Sequence, residues 1–459
     1  MLLTISLLCS GRESTTEKCL KSIREIADKI GDSEIIVVDT GCDDAMRALL
    51  DTYADKVIPF TWCNDFSAAR NVGVDAASGE WFMFIDDDEW FIDSSPIVDF
   101  FKKGTYKAYT CATYRVRNYE NLEGTSYADS INSRIVKLGD KSITRFKGRI
   151  HENITSISGH EYHIDCHAEH YGYAFSSPEE KRAHSLRNIP LIEQMMAEEP
   201  DVIRWPQQLT AEYFGLKEYQ KTIDLCNRSI KDFGSRDDRE ANIIRPLFYC
   251  AKILSQIFMH NLSDAQKSYS EAISDTRNTN MANSRLMNLG IRIAWEKDCN
   301  HEFVIKTAND YLTQFDKCDI KTEENNNPVL LINEAYDATH LDEVLIYGML
   351  AAIRANDADL AVSYFDRIIW TLPDNKVTIS EAILNVFEEL SNADHNMLYA
   401  QICTALLEMP NTSYACMNRL QQLFETDKTS ITKLWLYFPE HIQLQLIQIY
   451  AKIVKDAEV

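Results

Sequence analysis

Along the first ninety positions apolar residues gather in short runs separated by amphipathic stretches. Leu3–Leu8 and Glu34–Val38 are such runs, and Trp81–Ile85 (WFMFI) is a third. The last lacks any polar alternation and reads as a strand buried on both faces, with Asp86, Asp87, Asp88 and Glu89 at its carboxyl end. Between the first two runs, Leu20, Ile23, Ile26, Ala27 and Ile30 fall on one helical face, and Ser14-Thr15-Thr16-Glu17 reads as the capping box that opens this helix. Helix-like sequence from Asp43 to Tyr53 precedes a short strand near Val57. Asp65 is placed to cap a helix through Ala77, and Gly79 returns the chain to the strand at Trp81. Strand, helix, strand, helix in this order predicts a doubly wound parallel sheet.

From Tyr109 the pattern changes. Ala108–Val116 and Ser133–Leu138 read as strands, Gly139-Asp140 as a turn and Ser142–Phe146 as a further extended piece, which together predict an antiparallel addition. Ser177-Pro178-Glu179-Glu180 is a second capping box with proline at the first helical position, so a long helix begins there. Beyond Glu199 glycine is scarce. Gln207–Phe233, Ile243–Ile273, Ser284–Phe315, Leu341–Ile369, Ile379–Leu407 and Ser413–Phe424 read as successive helical segments, with Glu323–Pro328 (EENNNP) a loop between them. Ala211, Tyr213, Tyr219 and Ile223 fit a tetratricopeptide-like unit, and an α-solenoid with a concave face is expected. The predicted organisation is an α/β domain over 1–176, a linking helix over 177–205 and a helical-repeat domain over 206–459.

A chain of 459 residues exceeds one ordinary core, in keeping with two domains. Its formal net charge of −23 excludes non-specific binding to nucleic acid or to an anionic membrane, both of which need a basic surface. Residues 1–190 hold 22 basic and 30 acidic side chains (net −8) and the remainder 25 and 40 (net −15), so a phosphate ligand needs a metal or a local basic patch. The 12 cysteines lie singly with no CxxC pair, which points to a reducing, cytoplasmic setting rather than a disulfide framework. The opening MLLTISLLC lacks a basic n-region and reads as a strand, not a signal peptide. No apolar run approaches the roughly 20 residues of a membrane span.

Three adjacent aspartates at a strand's carboxyl end repel one another where ligands of open α/β sheets bind. A divalent cation offsets that repulsion, and hard oxygen ligands suit Mg2+ or Mn2+. There is no GxGxxG loop and no P-loop, which favours phosphate binding through the metal. Arg134, Lys137, Lys141, Arg145, Lys147 and Arg149 form a basic stretch broken only by Asp140, a face able to attract a phosphate or an acidic acceptor. His163, Cys166, His167 and His170 suggest zinc by composition but lack a separated ligand pair, so a strand ending at His170 is the preferred reading.

VVDTG (Val37–Gly41), WCNDFSAARN (Trp62–Asn71), FIDDDE (Phe84–Glu89), FKGRIHE (Phe146–Glu152) and HYGY (His170–Tyr173) resemble, in order and spacing, family 2 glycosyltransferases of the A-type (GT-A, Rossmann-like) fold. Within that family the chain looks most like the sublancin S-glycosyltransferase type, in which a nucleotide-sugar transferase modifies a peptide and carries a tetratricopeptide-like tail. The resemblance implies an inverting hexosyltransfer from a UDP-sugar, such as UDP-glucose, to a Cys thiol or Ser/Thr hydroxyl of a polypeptide. It also implies a Mg2+ or Mn2+ cofactor and homodimerisation through the repeats. A transferase building a cell-surface glycan and an inactive repeat scaffold are the alternatives.

By the same resemblance Asp39 accepts a hydrogen bond from uracil, its other reading being a turn cap. Leu8, at the end of the first strand, belongs to the nucleotide-sugar set with Asp86, which faces the ribose. Asp88 and His170 hold the metal. Asp87, counted with the nucleotide-sugar set, stands where the family's Asp-x-Asp motif has a small residue and is expected to lie behind the metal ligands or in solvent. Arg70 and Asn71 lie near the diphosphate, with a surface salt bridge the alternative for Arg70. Glu152 is the candidate base, or else it braces its loop with His151. Arg187, with Lys181 and Asn188, lies at the start of the linking helix, over the nucleotide or in a domain-interface salt bridge. Tyr171 and Tyr173 stack on the sugar or pack.

Overall fold

The computed structural model describes residues 1–12, 15–119, 121–125, 127–155, 159–318, 336, 338–369, 396–409, 413–426 and 435–457. The chain divides into two compact units, Met1–Leu216 and Lys217–Val459.

In the first unit β1 (Leu3–Cys9), α1 (Thr16–Ile30), β2 (Ser33–Asp39), α2 (Asp44–Tyr53), β3 (Lys56–Pro59), α3 (Phe66–Ala76) and β4 (Trp81–Asp86) follow one another. β1, β2, β3 and β4 pair in parallel in the order β3-β2-β1-β4, with Cys9 beside Asp39 and Leu8 beside Asp86. This register brings the carboxyl ends of three strands level, which sets the place of the site. The apolar runs are buried as their lack of alternation requires: Leu3, Ile5, Leu7, Ile35, Val37, Trp81, Met83 and Ile85 share one core with Leu20, Ile23 and Ile26 of α1. Asp43 and Asp65 cap α2 and α3 by accepting from the Met46 and Ala68 amides, each at 2.8 Å. The N-cap of α1 is Thr15, which makes no side-chain capping bond, and Ser14 of the expected capping box lies outside the described residues. Gly79 passes under β1 so closely that a Cβ there would sit 2.5 Å from the Thr4 amide nitrogen.

The sheet continues with β5 (Glu89–Phe91), β6 (Cys111–Tyr119), β7 (Tyr127–Lys137) and β10 (Glu161–His170) into eight strands, ordered β3-β2-β1-β4-β7-β6-β10-β5. β7 is antiparallel to β4 and β6, and β5 to β10, while β10 runs parallel to β6, so the sheet is mixed. The β6–β7 hairpin is longer than its apolar content indicates, because its distal half carries Asn118 and Ser130 toward a cleft and charged residues elsewhere. Residues 142–144 form a turn rather than a strand, since the Asp140 carboxylate accepts from the Ser142 amide at 2.9 Å. β8 (Phe146–Lys147) and β9 (Asn153–Ile154) make a separate two-stranded ribbon. α4 (Ser95–Lys102) covers the sheet, and α5 (Pro178–Glu198) and α6 (Arg204–Gly215) complete the unit. At the start of α5, Ser177 Oγ accepts from Glu180 N at 3.2 Å while Glu180 Oε2 accepts from Ser176 N at 2.8 Å.

The second unit is helical throughout its described residues. α7 (Tyr219–Asp232), α8 (Arg239–Phe258), α9 (Leu262–Ile273), α10 (Asn280–Asp298) and α11 (His301–Lys317) are followed by helices at Ala338–Arg354, Ala358–Phe365, Asn396–Glu408, Ser413–Thr426 and Glu440–Ala457. Ile253 and Ile257 of α8, Ala265 and Tyr269 of α9, and Leu286, Leu289 and Ile293 of α10 pack as one cluster, the interlocking expected of stacked helical hairpins. The Glu323–Pro328 loop and residues 379–395 of the Ile379–Leu407 segment lie outside the described residues. Within them, no helix is long and apolar enough to cross a membrane, and all 12 cysteines are free thiols.

Candidate active site

At the level carboxyl ends of β1 and β4 the first unit holds a cleft of about 680 Å3. Its floor is a ladder of opposite charges. Arg70, on α3, is buried and donates through Nη2 to Asp86 Oδ1 (2.6 Å) and through Nε to Glu152 Oε1 (2.5 Å). Arg134, on β7, donates through Nη2 to Glu89 Oε1 (2.8 Å) and lies 3.5 Å from Asp86 Oδ2. The two guanidiniums lie 5.2 and 5.0 Å from the Phe84 ring centroid. Burial alone would raise the Asp86 carboxyl, but Arg70 and Arg134 more than offset it and hold it well below the usual carboxylate range.

Beside this ladder stand Asp87 and Asp88. Asp87 Oδ2 accepts from the Ser10 amide at 2.8 Å, while burial and the neighbouring Asp88 push its carboxyl up to about 6. Asp88 is paired with Arg12 through Oδ2, and its Oδ1 lies 3.5 Å from His170 Nε2. The other ring nitrogen of His170 is 2.7 Å from Asn118 Oδ1. Asn118 spends its amide nitrogen on Val116 O, Ala128 O and Ser130 Oγ at 3.0–3.2 Å, so its oxygen faces the imidazole and accepts from Nδ1–H. Nε2 is thereby turned toward Asp88 and is the nitrogen that a metal-ligating histidine would offer. A carboxylate and an oriented imidazole fit a divalent cation that takes its remaining ligands from phosphate and water. Among the described residues no group of three or more His, Cys, Asp or Glu side chains is arranged to hold a metal alone.

Gly172 completes the arrangement. A Cβ at this position would lie 2.7 Å from Asp88 Oδ2 and closer still to His170 Nε2. Gly172→Ala is therefore expected to weaken nucleotide binding in the presence of Mn2+ by at least about tenfold, in the range of lost metal-site support, while leaving the melting temperature within a few degrees. Titration calorimetry with UDP and Mn2+ on the two proteins measures it.

Residues 5–158 match the family model described as Glycosyl transferase family 2. The first unit carries a family 2 glycosyltransferase domain. The chain is 26% identical over 264 residues to the SPbeta prophage-derived glycosyltransferase SunS of Bacillus subtilis (strain 168), covering 55% of this chain and 59% of that protein. It thus spans 59% of the length of this relative. A TPR repeat-containing protein of Synechococcus elongatus is 39% identical over 75 residues, 16% of this chain and 17% of that one. Among solved structures, Staphylococcus aureus TarS aligns at a TM-score of 0.32 and 14% identity, over 59% of this chain and 55% of its own.

In the first unit Leu8, Arg70, Asp86, Asp87, Asp88, Glu152, His170 and Arg187 all border the cleft. Arg187 donates to Asn188 Oδ1 at 3.3 Å, lies 5.8 Å from the Phe66 ring centroid and has no carboxylate partner among the described residues. Asn71 does not border the cleft: its amide exchanges two hydrogen bonds with the Phe146 backbone (3.0 and 2.9 Å) and fastens β8 to α3. Asp39 also stands back from it. Its Oδ1 accepts from the Gly41 and Cys42 amides (2.9 and 2.7 Å) and its Oδ2 from Arg47 Nε (2.8 Å). Against the raising effect of burial, these bonds hold the Asp39 carboxyl at about 2.

Tyr171 is packed between Trp90 and Tyr119, at 5.4 and 4.3 Å, whereas Tyr173 borders the cleft beside His170. The zinc alternative has no geometric support among the described residues, for His163 lies 3.2 Å from Thr113 Oγ1 and His167 2.9 Å from Glu169 Oε1. The basic stretch after Arg134 is largely spent on acids and carbonyls far along the chain. Lys137 meets Glu80, Arg145 meets Asp75, Arg149 meets Asp65 and Glu198, and Lys141 binds the carbonyls that end α3. Arg12 and Asn118 also border the cleft and were not singled out, because their partners Asp88 and His170 lie far along the chain. Gly172 and the Trp62–Phe66 pair, whose centroids are 4.8 Å apart at the cleft wall, lie inside the HYGY and WCNDFSAARN motifs, where no role was given to them.

Proposed function

We propose that the chain is a metal-dependent, inverting glycosyltransferase that moves a hexose from a UDP-sugar to a polypeptide. The observation that carries this reading is Asp88 beside an imidazole whose Nε2 is turned toward it by Asn118, at the strand ends of a family 2 domain and on the wall of a cleft of about 680 Å3. Asp88 and His170 are the residues that would hold Mg2+ or Mn2+. When bound, the cation supplies positive charge to the departing diphosphate. Arg12 and Arg187 add guanidiniums at the same wall, and Arg70 and Arg134 keep Asp86 ionised to accept from a ribose hydroxyl. Asp39, although it stands back from the cleft, would accept from the uracil imide once its half-exposed partner Arg47 leaves Oδ2. The proton of the attacking group passes to the loop that carries His151 and Glu152. Asn71 acts at one remove, by fixing β8 and hence that loop.

A polypeptide acceptor is favoured by the resemblance to the sublancin S-glycosyltransferase type, and the helical-repeat unit offers a surface for holding a peptide or pairing with a second copy. The purified chain, given UDP-hexoses, Mn2+ and two acceptor panels, is expected to glycosylate Cys-, Ser- or Thr-containing peptides and to leave saccharides unmodified by mass spectrometry. Transfer to saccharides alone would replace the peptide acceptor with a surface glycan. Transfer to neither, with no UDP released, would favour a scaffold role.

A further inference from the structure

We propose that the acceptor polypeptide docks as an added β-strand on the free edge of β7, its backbone paired with Tyr127–Ser133 and its reactive side chain carried into the cleft. The inference rests on the polypeptide-acceptor reading above and adds how that chain is held.

The edge is opened by a bulge. β7 pairs with β4 only through Ile135, Val136 and Lys137. On its other side it stays paired with β6 from Val136 to Tyr127, but Ala112 faces Ile135 while the next residue, Thr113, faces Ser133, so Arg134 is the extra residue of the ladder. Such a bulge bends its strand and re-aims a side chain. Here Arg134 is aimed at Glu89 and Asp86, at 2.8 and 3.5 Å, and beyond it β7 parts from β4, which itself ends at Asp86. Among the described residues no strand pairs with Tyr127–Ser133 on the β4 side. At about 3.3 Å per residue this is an open edge roughly 20 Å long.

The segment carries none of the usual protection. Native sheets blunt a free edge with lysine, proline or an unpaired charge. The sequence YADSINS has no lysine or proline, and its one charge, Asp129, is spent on Arg117 and Arg115 at 3.1 and 3.6 Å. Tyr127, Ala128, Asp129 and Ile131 are exposed, Ile131 by 59%, so the segment is not covered by another element. The partner such an edge takes is an extended polypeptide, whose backbone N–H and C=O groups recur at the spacing of the strand. A saccharide has no such repeat.

The edge also leads into the site. Ser130 and Arg134 border the cleft, and Ala128, on the same face of the strand as Ser130, is small enough for a chain to lie close. At the root of the edge Arg134 lies beside Asp86, which accepts from Arg70, and Arg70 in turn holds Glu152. A polypeptide paired along Tyr127–Ser133 therefore turns alternate side chains toward the cleft and delivers one of them next to the acidic cluster. Because the backbone is what pairs, the residues flanking the reactive Cys, Ser or Thr can vary widely.

The test uses the full chain with Mn2+, a UDP-hexose and the peptide of the acceptor panel that is modified fastest. Each residue of that peptide is replaced in turn by its N-methyl form, which removes one backbone donor and keeps the side chain. Sensitivity should have a period of two: methylation at alternate positions lowers kcat/KM for the peptide at least about tenfold, the positions between stay within about twofold, and UDP release to water is unchanged throughout. Hydrogen exchange read by mass spectrometry, with peptide, UDP and Mn2+ present, should show the Tyr127–Ser133 amides protected relative to UDP and Mn2+ alone. Tolerance of methylation at every position would overturn the strand addition, as would alternation without protection of Tyr127–Ser133. Protection that needs no peptide and rises with protein concentration would give the edge to a second copy of the chain and overturn it as well. A protein that modifies saccharides but no peptide, or releases no UDP from any donor, would instead overturn the polypeptide-acceptor reading, and this inference with it.

Discussion

Asp88→Asn is expected to abolish the response of the protein to divalent cations and to reduce turnover of a UDP-hexose by at least about 1,000-fold, the several kcal/mol that a metal contributes to a developing diphosphate charge. The fold should survive. The substitution is isosteric: it relieves the repulsion that, together with the larger effect of burial, pushes Asp87 up to about 6, and it leaves Arg12 a carboxylate in Asp87 at 3.8 Å. The melting temperature should therefore hold or rise while Mn2+-dependent UDP release disappears, a combination that separates loss of a ligand from loss of structure. Assaying release across a Mn2+ titration, with melting curves on the same samples, measures both. Equal Mn2+ dependence in the variant would remove Asp88 from the metal site.

Arg70→Ala acts on stability first. The guanidinium is buried and joins Asp86 to Glu152, so its removal leaves two carboxylates facing one another around an uncompensated gap. Breaking a buried pair by deleting one partner costs about 3–5 kcal/mol, and here the Phe84 and Phe146 rings lose the group that covers them at 5.2 and 5.6 Å. Urea denaturation of the isolated variant should show that loss, and Arg70→Lys should recover only part of it, because an ammonium cannot span both carboxylates. A variant as stable as the wild type would mean that water and Arg134 replace the guanidinium.

The sequence made the parallel half of the sheet readable because β1, β2 and β4 are largely buried and α2 and α3 open on aspartate caps. Trp81–Asp86 is the clearest case: an apolar run without alternation became the central strand that ends in the acidic cluster. The outer half was harder to read. Tyr127–Ser130 belongs to β7 although it carries little apolar signal, since one face of that hairpin lines the cleft and cannot be hydrophobic. Asp88 and His170 were legible as a pair only through the family resemblance, for 82 residues separate them and neither spacing nor composition joins them. Arg12 and Asn118 carried no signal at all, because each takes its role from a partner 76 or 52 positions away. The basic stretch from Arg134 to Arg149 illustrates the converse. It looked like an anion-binding face by local charge, and the acids that neutralise most of it, Asp75, Glu80, Asp65 and Glu198, come from other elements.

The most direct test of the account is a thermal-shift titration of the full chain with UDP-hexoses, GDP-hexoses and free UDP, each with and without Mn2+. A ligand at 100 times its dissociation constant stabilises by about 2.7 kcal/mol, a shift of degrees that is readily measured. The account predicts stabilisation by uridine nucleotides that requires Mn2+ and is absent in Asp88→Asn. Equal melting curves with every nucleotide sugar, with and without the metal, would contradict it.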